Sequence, residues 1–600
     1  MERSRTAEQP LVVRSVRARR VGAGHFLMAL VLLVLGYFLV WPVLLLLINS
    51  FNTAADWFVE PRAWGLKHWQ NAFYRPGLLV SLGNSVLIWS LTFATSFPIG
   101  VAIAWLLART RVPFSHSLEF LFWVSYMIPS LPTTIAWITL LDPDIGLINV
   151  ALTKLGLFEQ GPFNIFSVPG IVWANLMGHG IAIKVMLLTP AFRNMDASLE
   201  EAARVGGAGN LRTLIRVTLP LMVSPMTLVF ALQLLRVFQS FETEYLLGMP
   251  FGFYVYSTKI YALVRDQVPN YGEATVLASI TLLLIAVIIP LQRWILQRRR
   301  YTTITASFRP GLIDLGRWNY VAFGLIALLL ALLTIGPMLV LVLGSFMTRI
   351  GYFVLGFTLD HWKMVLTDPV FLKALRTTLV LGATAALASP LLFSVLAYLM
   401  VRTRLPGRGV LDLMVWSSGA IPGILAGLGL LWVFVGTPVL SALFGTIWAL
   451  LIVVILQGKT TGVNIMKGIF VQVGADMEEA ARVSGAGWLR TYIYIWLPLL
   501  MPTLILLAVM NFVSAAGATG SIVLLASRDT MTLSLMALEL SSVAVSNREA
   551  ASILSLFIIA LTVGGALVVR AYGLKLGVRH DAHAGAAALG TPAGKPQAAG

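Results

Sequence analysis

The sequence predicts an all-α, polytopic membrane protein of about twelve transmembrane helices in two parallel six-helix repeats. Hydrophobic residues make up 58% of the chain and charged residues only 12%, a composition that water-soluble domains do not have. The apolar residues lie in blocks of about 20, the length that crosses roughly 30 Å of hydrocarbon as a helix. A polar segment also occurs twice: EEAARVGGAGNLRTLIRVTLPLM begins at Glu200, and EEAARVSGAGWLRTYIYIWLPLL begins at Glu478.

Twelve apolar segments are the predicted spans, at about 26–48, 80–107, 118–140, 168–190, 220–240, 272–296, 319–345, 373–400, 409–435, 443–467, 498–520 and 549–571. They divide into a first module over 26–297 and a second module over 319–575, joined by a polar, basic linker over 298–318. Residues 1–25 form an N-terminal segment before the first span. The Ala/Gly-rich tail over 576–600 is expected to be disordered.

The distribution of arginine predicts the orientation of the spans. Arginine is concentrated in four polar segments, 1–25, 108–117, 191–217 and 293–317, whereas the segments between them hold few Lys or Arg. Cytoplasmic loops of membrane proteins carry the excess of Lys and Arg. Both termini and both copies of the repeated segment are therefore expected in the cytoplasm. The basic N-terminus is followed by a long apolar segment without a small-residue cleavage site, which predicts a retained first span.

The net charge of +17 is compatible with nucleic-acid binding, but retention of Lys and Arg on the cytoplasmic side of a lipid bilayer explains it more simply. No nucleic-acid partner is therefore expected. The chain has no cysteine, which excludes disulfides, thiol catalysis and cysteine-based metal sites.

The duplication extends beyond the repeated segment. Three short motifs, His68-Trp69, Arg109–Pro113 and Ile128-Pro129, recur in similar form 293 residues later, whereas the repeated segments are 278 residues apart. The first module must therefore carry about 15 extra residues, which fit the external stretch over 142–167. Since each module has an even number of spans, both point the same way across the membrane.

We call the two repeated segments the islands. Each starts with a small polar or acidic residue followed by a pair of glutamates, which predicts a helix beginning at Ser198 and at Asp476. Gly206-Gly207 and Ser484-Gly485 then end that helix in a sharp turn. A second short helix runs into a Leu-Pro pair that starts the next span. Each island is thus a short helix lying across the cytoplasmic end of its module.

Seven residues of the same or similar type have the same spacing in both islands. They are Glu201, Ala202, Ala203, Gly207, Val217, Leu219 and Pro220 in the first, and Glu479, Ala480, Ala481, Gly485, Ile495, Leu497 and Pro498 in the second. This pattern resembles the EAA loop of ABC-importer permeases, the binding-protein-dependent inner-membrane components. The alternative is that two ordinary amphipathic connector helices happen to be alike.

The resemblance covers about residues 26–575, and two fused modules are most similar to the ferric-iron permease group; fused permeases for thiamine and aminoethylphosphonate are also similar. It implies a bacterial inner-membrane permease that forms the solute path, with two copies of a cytoplasmic ATPase subunit docked at the islands and a periplasmic or extracellular solute-binding protein outside. ATP and Mg would be bound by the partner ATPase, and this chain would hold no cofactor.

No catalytic residue and no metal site are predicted. Gly458-Lys459-Thr460 resembles the end of a phosphate-binding loop, but Val453 stands where that motif needs glycine, and an apolar span precedes it. ATP hydrolysis is therefore expected in a separate subunit. His580 and His583 lie on the C-terminal tail and are weak candidates for metal binding.

Arg236, Glu242 and Glu244, near the external end of the fifth span, are candidates for the translocation path, because ionisable groups at such depth usually face a cavity or a partner. Lys184, within the fourth span, is a weaker candidate. The alternative is a charge cluster that reaches out to interfacial water. The second module has no charge over the corresponding stretch, 512–525.

A rival function of another class is a secondary transporter driven by an ion gradient. The duplicated cytoplasmic helices and the scarcity of carboxylates within the spans argue against it. An intramembrane enzyme would need paired catalytic residues, which the sequence does not offer.

Overall fold

A computed structural model describes residues 23–567 except 55–60, 75, 197, 299–311, 353, 354, 475 and 543. The predicted all-helical fold class is confirmed: within these residues the regular elements are helices, with three isolated β-bridges. Residues 1–22 of the predicted N-terminal segment, the tail that contains His580 and His583, and most of the linker lie outside the described residues. The domain boundaries remain predictions.

Helices occur at all twelve predicted spans. Seven spans are single long helices: Gly24–Asn49, Gly77–Arg109, Tyr271–Gln292, Trp318–Phe346, Pro369–Val401, Trp488–Ala516 and Arg548–Leu567. Five others are pairs of helices that meet at a bend: Ser115–Met127 with Ser130–Leu141 (94°), Val168–Gly180 with Ala182–Arg193 (44°), Asn210–Leu221 with Val223–Phe238 (64°), Arg408–Ser418 with Gly423–Gly436 (117°), and Ile447–Leu456 with Lys459–Gln472 (44°).

Shorter helices connect the spans. They are Lys67–Tyr74, Leu147–Lys154, Ser198–Val205, Glu242–Gly248, Tyr256–Arg265, Asp360–Thr367, Pro438–Ser441, Asp476–Val483 and Leu533–Leu540. The helix Leu147–Lys154 lies in the extra stretch that distinguishes the first module from the second. Within that stretch Asp142 pairs with Arg548 of the second module, at 2.7 Å between Oδ2 and Nη1.

The two sharpest bends follow from the repeated Ile-Pro motif. Pro129 and Pro422 have an extended backbone, with ψ of 153° and 149°. Proline has no N–H to continue the helical hydrogen bonds, and it disfavours the helical conformation at the residue before it. The third and ninth spans therefore bend by 94° and 117° where the sequence predicts a single crossing.

The first span of each module packs against the other module. Gly24–Asn49 packs against Arg408–Ser418 and Gly423–Gly436 of the second module, and Trp318–Phe346 packs in the same way against the third span of the first module. The approach is close, because a Cβ atom added at Gly429 would lie 2.8 Å from Cβ of Pro42. This reciprocal packing makes the two halves one body with an approximate twofold arrangement.

The predicted cytoplasmic segments gather at one end of the helices. Arg109 ends the second span and contacts the first island, while Arg402, which follows the eighth span, donates to Val473 close to the second island. The described end of the linker lies next to Arg109, since Ile313 pairs with Thr110 in a parallel β-bridge. The islands therefore share one end of the molecule.

Candidate functional sites

Each island has the helix, turn and second helix that its sequence predicts. The first helices are Ser198–Val205 and Asp476–Val483, of eight residues each. Gly207 and Gly485 follow them with φ of +84° and +78°, a left-handed conformation that glycine adopts at little cost. In both turns the glycine N–H bonds to the arginine carbonyl three residues earlier. The two islands thus share one backbone geometry.

The second part of each island runs directly into a span. A single helical turn leads into a π-helical turn, Leu214–Thr218 in the first island and Tyr492–Trp496 in the second. The Leu-Pro pairs, Leu219-Pro220 and Leu497-Pro498, then stand at the first positions of the following helices. Because proline lacks the N–H that a regular turn would use here, the wider turn accommodates it.

The two glutamates of each pair have different environments. Glu200 and Glu478 are buried, whereas Glu201 and Glu479 are exposed. Successive helical residues point about 100° apart, so one glutamate of each pair faces the spans and the next faces outward. Only the exposed glutamates are free to meet a partner protein. The sequence pattern alone does not distinguish the buried glutamates from the exposed ones.

The first island is anchored by a buried ion pair. Nη2 of Arg109 lies 2.5 Å from Oε2 of Glu200, and both side chains are at most 1% exposed. Oγ1 of Thr218 donates to Oε1 of Glu200 at 2.6 Å, and Nη1 of Arg109 donates to the carbonyl of Met195 at 3.2 Å. These bonds tie the island helix to the end of the second span and to its own connection into the fifth span.

The second island is anchored through different groups. The hydroxyl of Tyr398 donates to Oε1 of Glu478 at 2.8 Å, and Arg482 donates to the same oxygen at 2.7 Å. Arg402, the counterpart of Arg109, instead donates to the carbonyl of Phe470 at 2.6 Å and lies 4.8 Å from the ring centroid of Trp496. Trp496 occupies the position that corresponds to Thr218. The corresponding buried glutamate is thus held by a buried arginine in one module, and by a tyrosine and an exposed arginine in the other.

The outward surface of each island combines a carboxylate with apolar side chains. Val205 and Val483 are 91% and 90% exposed, and Leu211 and Leu489 are 70% and 59% exposed. Ala202 and Ala480 are exposed beside the glutamates, while Ala203 and Ala481 are half-buried. Exposed apolar side chains grouped with charge are typical of protein contact surfaces. The two matching surfaces lie at the same end of the protein.

The second candidate site is a cavity of about 190 Å³ within the first module. Its charged lining residues are Lys184, Arg236, Glu242 and Glu244, so the structure brings together all four candidates for the translocation path. The cavity also contacts Thr92 and Phe93, at the midpoint of the second-span helix Pro76–Arg109. The cavity therefore lies beside the middle of this long helix.

The two carboxylates of this cavity accept hydrogen bonds from neighbouring side chains. Glu244 is fully buried and accepts from Nδ2 of Asn175 at 2.9 Å and from the hydroxyl of Ser240. Glu242 accepts from the hydroxyl of Thr519, a residue of the second module. The uncharged stretch of the second module therefore completes the charged site of the first.

The residues that the structure describes contain no group of three or more His, Asp or Glu side chains that could hold a metal ion. Gly458, in the segment that resembles a phosphate-binding loop, lies at the bend between two helices with φ of +73°. That segment follows a helix rather than a strand.

The sequence matches a protein family twice. The description of the family is "Binding-protein-dependent transport system inner membrane component", and the matches cover residues 96–301 and 379–575, more than half of the chain. Each match contains one island and the spans around it.

Two curated relatives are ferric transport system permease proteins FbpB. The protein of Actinobacillus pleuropneumoniae is 25% identical over 388 residues, covering 61% of this chain and 53% of the relative. A putative one of Haemophilus influenzae is 25% identical over 377 residues, covering 61% and 58%. The chain thus spans between half and two thirds of the length of these relatives. A crystal structure of a bacterial ABC transporter that imports alginate has 18% identity and a TM-score of 0.37, over 46% of this chain and 96% of that chain.

Proposed function

Since this chain belongs to the family of binding-protein-dependent transport system inner membrane components, we propose that it is a two-module permease of an ABC importer. In this proposal the two modules together form the solute path, and two copies of a cytoplasmic ATPase subunit hydrolyse ATP below it. A solute-binding protein delivers the solute from outside. The chain itself contributes no catalytic residue. The observation that carries the proposal is the pair of matching island surfaces at one end of the protein.

The islands are suited to transmit movement. Glu201 and Glu479, with Val205 and Val483 beside them, form the surface that a partner would hold. Behind that surface, Glu200 and Glu478 tie each island to the end of a long spanning helix. A displacement of the ATPase would therefore move the second and eighth spans through buried contacts. Closure of the two ATPases would bring the islands together. This movement would switch the solute path between inward and outward access.

The identity of the solute is a narrower proposal. The two FbpB relatives favour ferric iron. Thiamine, aminoethylphosphonate or another small solute is the alternative, because fused permeases of similar organisation serve them. A transit path need not hold iron tightly, since it must release what it binds.

The test of the proposed function is the double variant Glu201→Ala/Glu479→Ala. Both side chains are exposed, so the fold should be unaffected, while loss of two charged contacts is expected to lower co-purification of the ATPase at least about tenfold. ATP-dependent uptake in liposomes should fall with it. The matched control is Glu159→Ala, an exposed glutamate in the extra stretch of the first module. Normal assembly and uptake by the double variant would disprove the docking role. Robust uptake by the chain alone under an ion gradient would favour a secondary transporter.

We also propose that the islands and both termini face the cytoplasm. Arg212, in the first island, and Trp64, near the opposite end of the first module, are both exposed. Because the chain has no cysteine, a single cysteine at either position can be labelled selectively. In intact cells an impermeant thiol reagent should label Trp64→Cys and should leave Arg212→Cys unlabelled until the membrane is opened. Labelling of Arg212→Cys from outside would reverse the orientation.

A further inference from the structure

The cavity of the first module is lined by two cations that lack an anionic partner. Lys184 is 3% exposed; its Nζ donates to the hydroxyl of Ser96 at 2.8 Å and lies 5.5 Å from the ring centroid of Phe93. The side chain of Arg236 is exposed, and it forms no ion pair or hydrogen bond with any residue that the structure describes. It lines the same cavity as Lys184. Two positive charges therefore line one cavity.

Burial of the Lys184 ammonium group is unfavourable without a compensating anion. A buried charge is strongly destabilising unless an opposite charge or several hydrogen bonds compensate it, and cations within transmembrane segments usually pair or line a solute pathway. The carboxylates nearby are each engaged by neutral donors: Glu244 by Asn175 and Ser240, and Glu242 by Thr519. Neither of them forms an ion pair with the two cations among the described residues.

The second module has replaced this site with apolar packing. The positions that correspond to Lys184, Arg236 and Glu242, 278 residues further on, are Gly462, Ser514 and Gly520. On the facing helix, Gly100 of the first module corresponds to Phe393 of the second. A Cβ atom added at Gly100 would lie 2.5 Å from Cβ of Lys184, and one added at Gly462 would lie 2.2 Å from the Phe393 ring. Glycine and the large side chain have thus exchanged places, so the cationic cavity is specific to the first module.

We propose that this cavity binds an oxyanion of the phosphonate, phosphate or carboxylate class during transport, with the Arg236 guanidinium and the Lys184 ammonium as its two cationic contacts. This inference rests on the proposed importer function. Guanidinium groups bind such oxyanions through two parallel hydrogen bonds, and an ammonium group supplies a compact second charge. The cavity of about 190 Å³ is smaller than the sites of drug-sized ligands, about 300–1,000 Å³, so the anionic group must be small.

The oxyanion has two potential sources. It is either part of the carried solute or the anion that accompanies ferric iron as a complex. In both cases the side chains of Arg236 and Lys184 recognise the anion. Titration with simple anions and with a ferric complex separates the two sources.

The test uses the full-length chain in lipid nanodiscs and isothermal titration calorimetry with methylphosphonate, inorganic phosphate, citrate and ferric citrate. Arg236→Gln and Lys184→Met should each weaken binding of the bound anion at least about tenfold, the effect of one lost charged contact. Arg376→Gln, an exposed arginine on the eighth span, is the control and should leave binding unchanged. Binding of methylphosphonate or inorganic phosphate without binding of citrate identifies an anionic solute, whereas tighter binding of ferric citrate than of citrate identifies an anion that accompanies iron.

The inference is overturned if none of these probes binds, or if Arg236→Gln and Lys184→Met bind them as tightly as the unaltered chain. Both variants are first checked for monodispersity by size-exclusion chromatography. Co-purification of the ATPase with the same variants separates this inference from the proposed function. If the variants retain the ATPase but lose anion binding, the proposed function and the anion site are both supported. If the unaltered chain binds an anion but no ATPase co-purifies with it, the importer function is rejected and the anion site stands.

Discussion

Replacement of Arg109 by methionine is expected to abolish ATP-dependent uptake by releasing the first island from its module. The change leaves the carboxylate of Glu200 buried without its ionic partner, and only Thr218 still donates to it. Removal of one member of a buried ion pair costs about 3–5 kcal/mol. Hydrogen exchange over 198–205 should accelerate accordingly, measured by mass spectrometry on the full-length protein. Unchanged exchange and unchanged uptake would show that the ion pair does not hold the island.

Two further variants make this prediction specific. In Arg109→Met/Glu200→Leu both charges are gone, and slow exchange over 198–205 should largely return, because apolar residues often replace a buried ion pair without loss of stability. Tyr398→Phe is the matched change in the second module. Glu478 keeps Arg482 as a partner there, so the loss should be smaller, about 1.5–3 kcal/mol for a hydrogen bond to a charged group. Equal effects in the two modules would contradict the difference between the anchors.

Replacement of Gly207 or Gly485 by valine is expected to abolish ATP hydrolysis stimulated by the solute-binding protein, while the protein still inserts into the membrane. Both glycines have positive φ, +84° and +78°, which a β-branched residue adopts only with strain of about 1–3 kcal/mol. A Cβ atom at either position would meet no atom within 4 Å, so the expected effect comes from the backbone alone. The turn should open and tilt the island helix away from its docking position.

Gly209→Val is the matched control for this prediction. Gly209 lies two residues beyond Gly207 and likewise has open space around its Cβ direction, but its φ is −69°. Valine adopts that conformation without strain. Stimulated hydrolysis should therefore survive Gly209→Val. Loss of hydrolysis in the control as well as in Gly207→Val would mean that side-chain bulk, and not the turn, disturbs the docking surface.

Much of the fold could be predicted from local sequence. The spans follow from the length of the apolar blocks, and the repeats follow from copied motifs such as Ile128-Pro129 and Ile421-Pro422. The resemblance to ABC-importer permeases, drawn from the islands, is confirmed by the family match. The glycine turns were also predictable, since Gly207 and Gly485 stand where each island helix must end. The roles of the island residues and of the translocation-path residues remain predictions.

Other features could not be predicted because they join residues far apart in the chain. Arg109 and Glu200 are 91 residues apart and form a buried pair, whereas the equivalent Arg402 contacts Trp496 instead of Glu478. One useful signal was present: the arginine recurs with its motif in both modules. By itself, however, that recurrence shows only the repeat and not the partner of the arginine.

The sequence by itself determined that this chain is a duplicated, all-helical membrane protein with two islands, because transfer of apolar side chains into lipid and the turn preference of glycine act locally along the chain. The tertiary structure alone decided which glutamate of each pair is buried, how the first spans cross to the other module, and that Lys184 and Arg236 share one cavity. These outcomes depend on distances between separate helices. A charge finds its partner in space, and two modules with nearly the same pattern pair their charges differently.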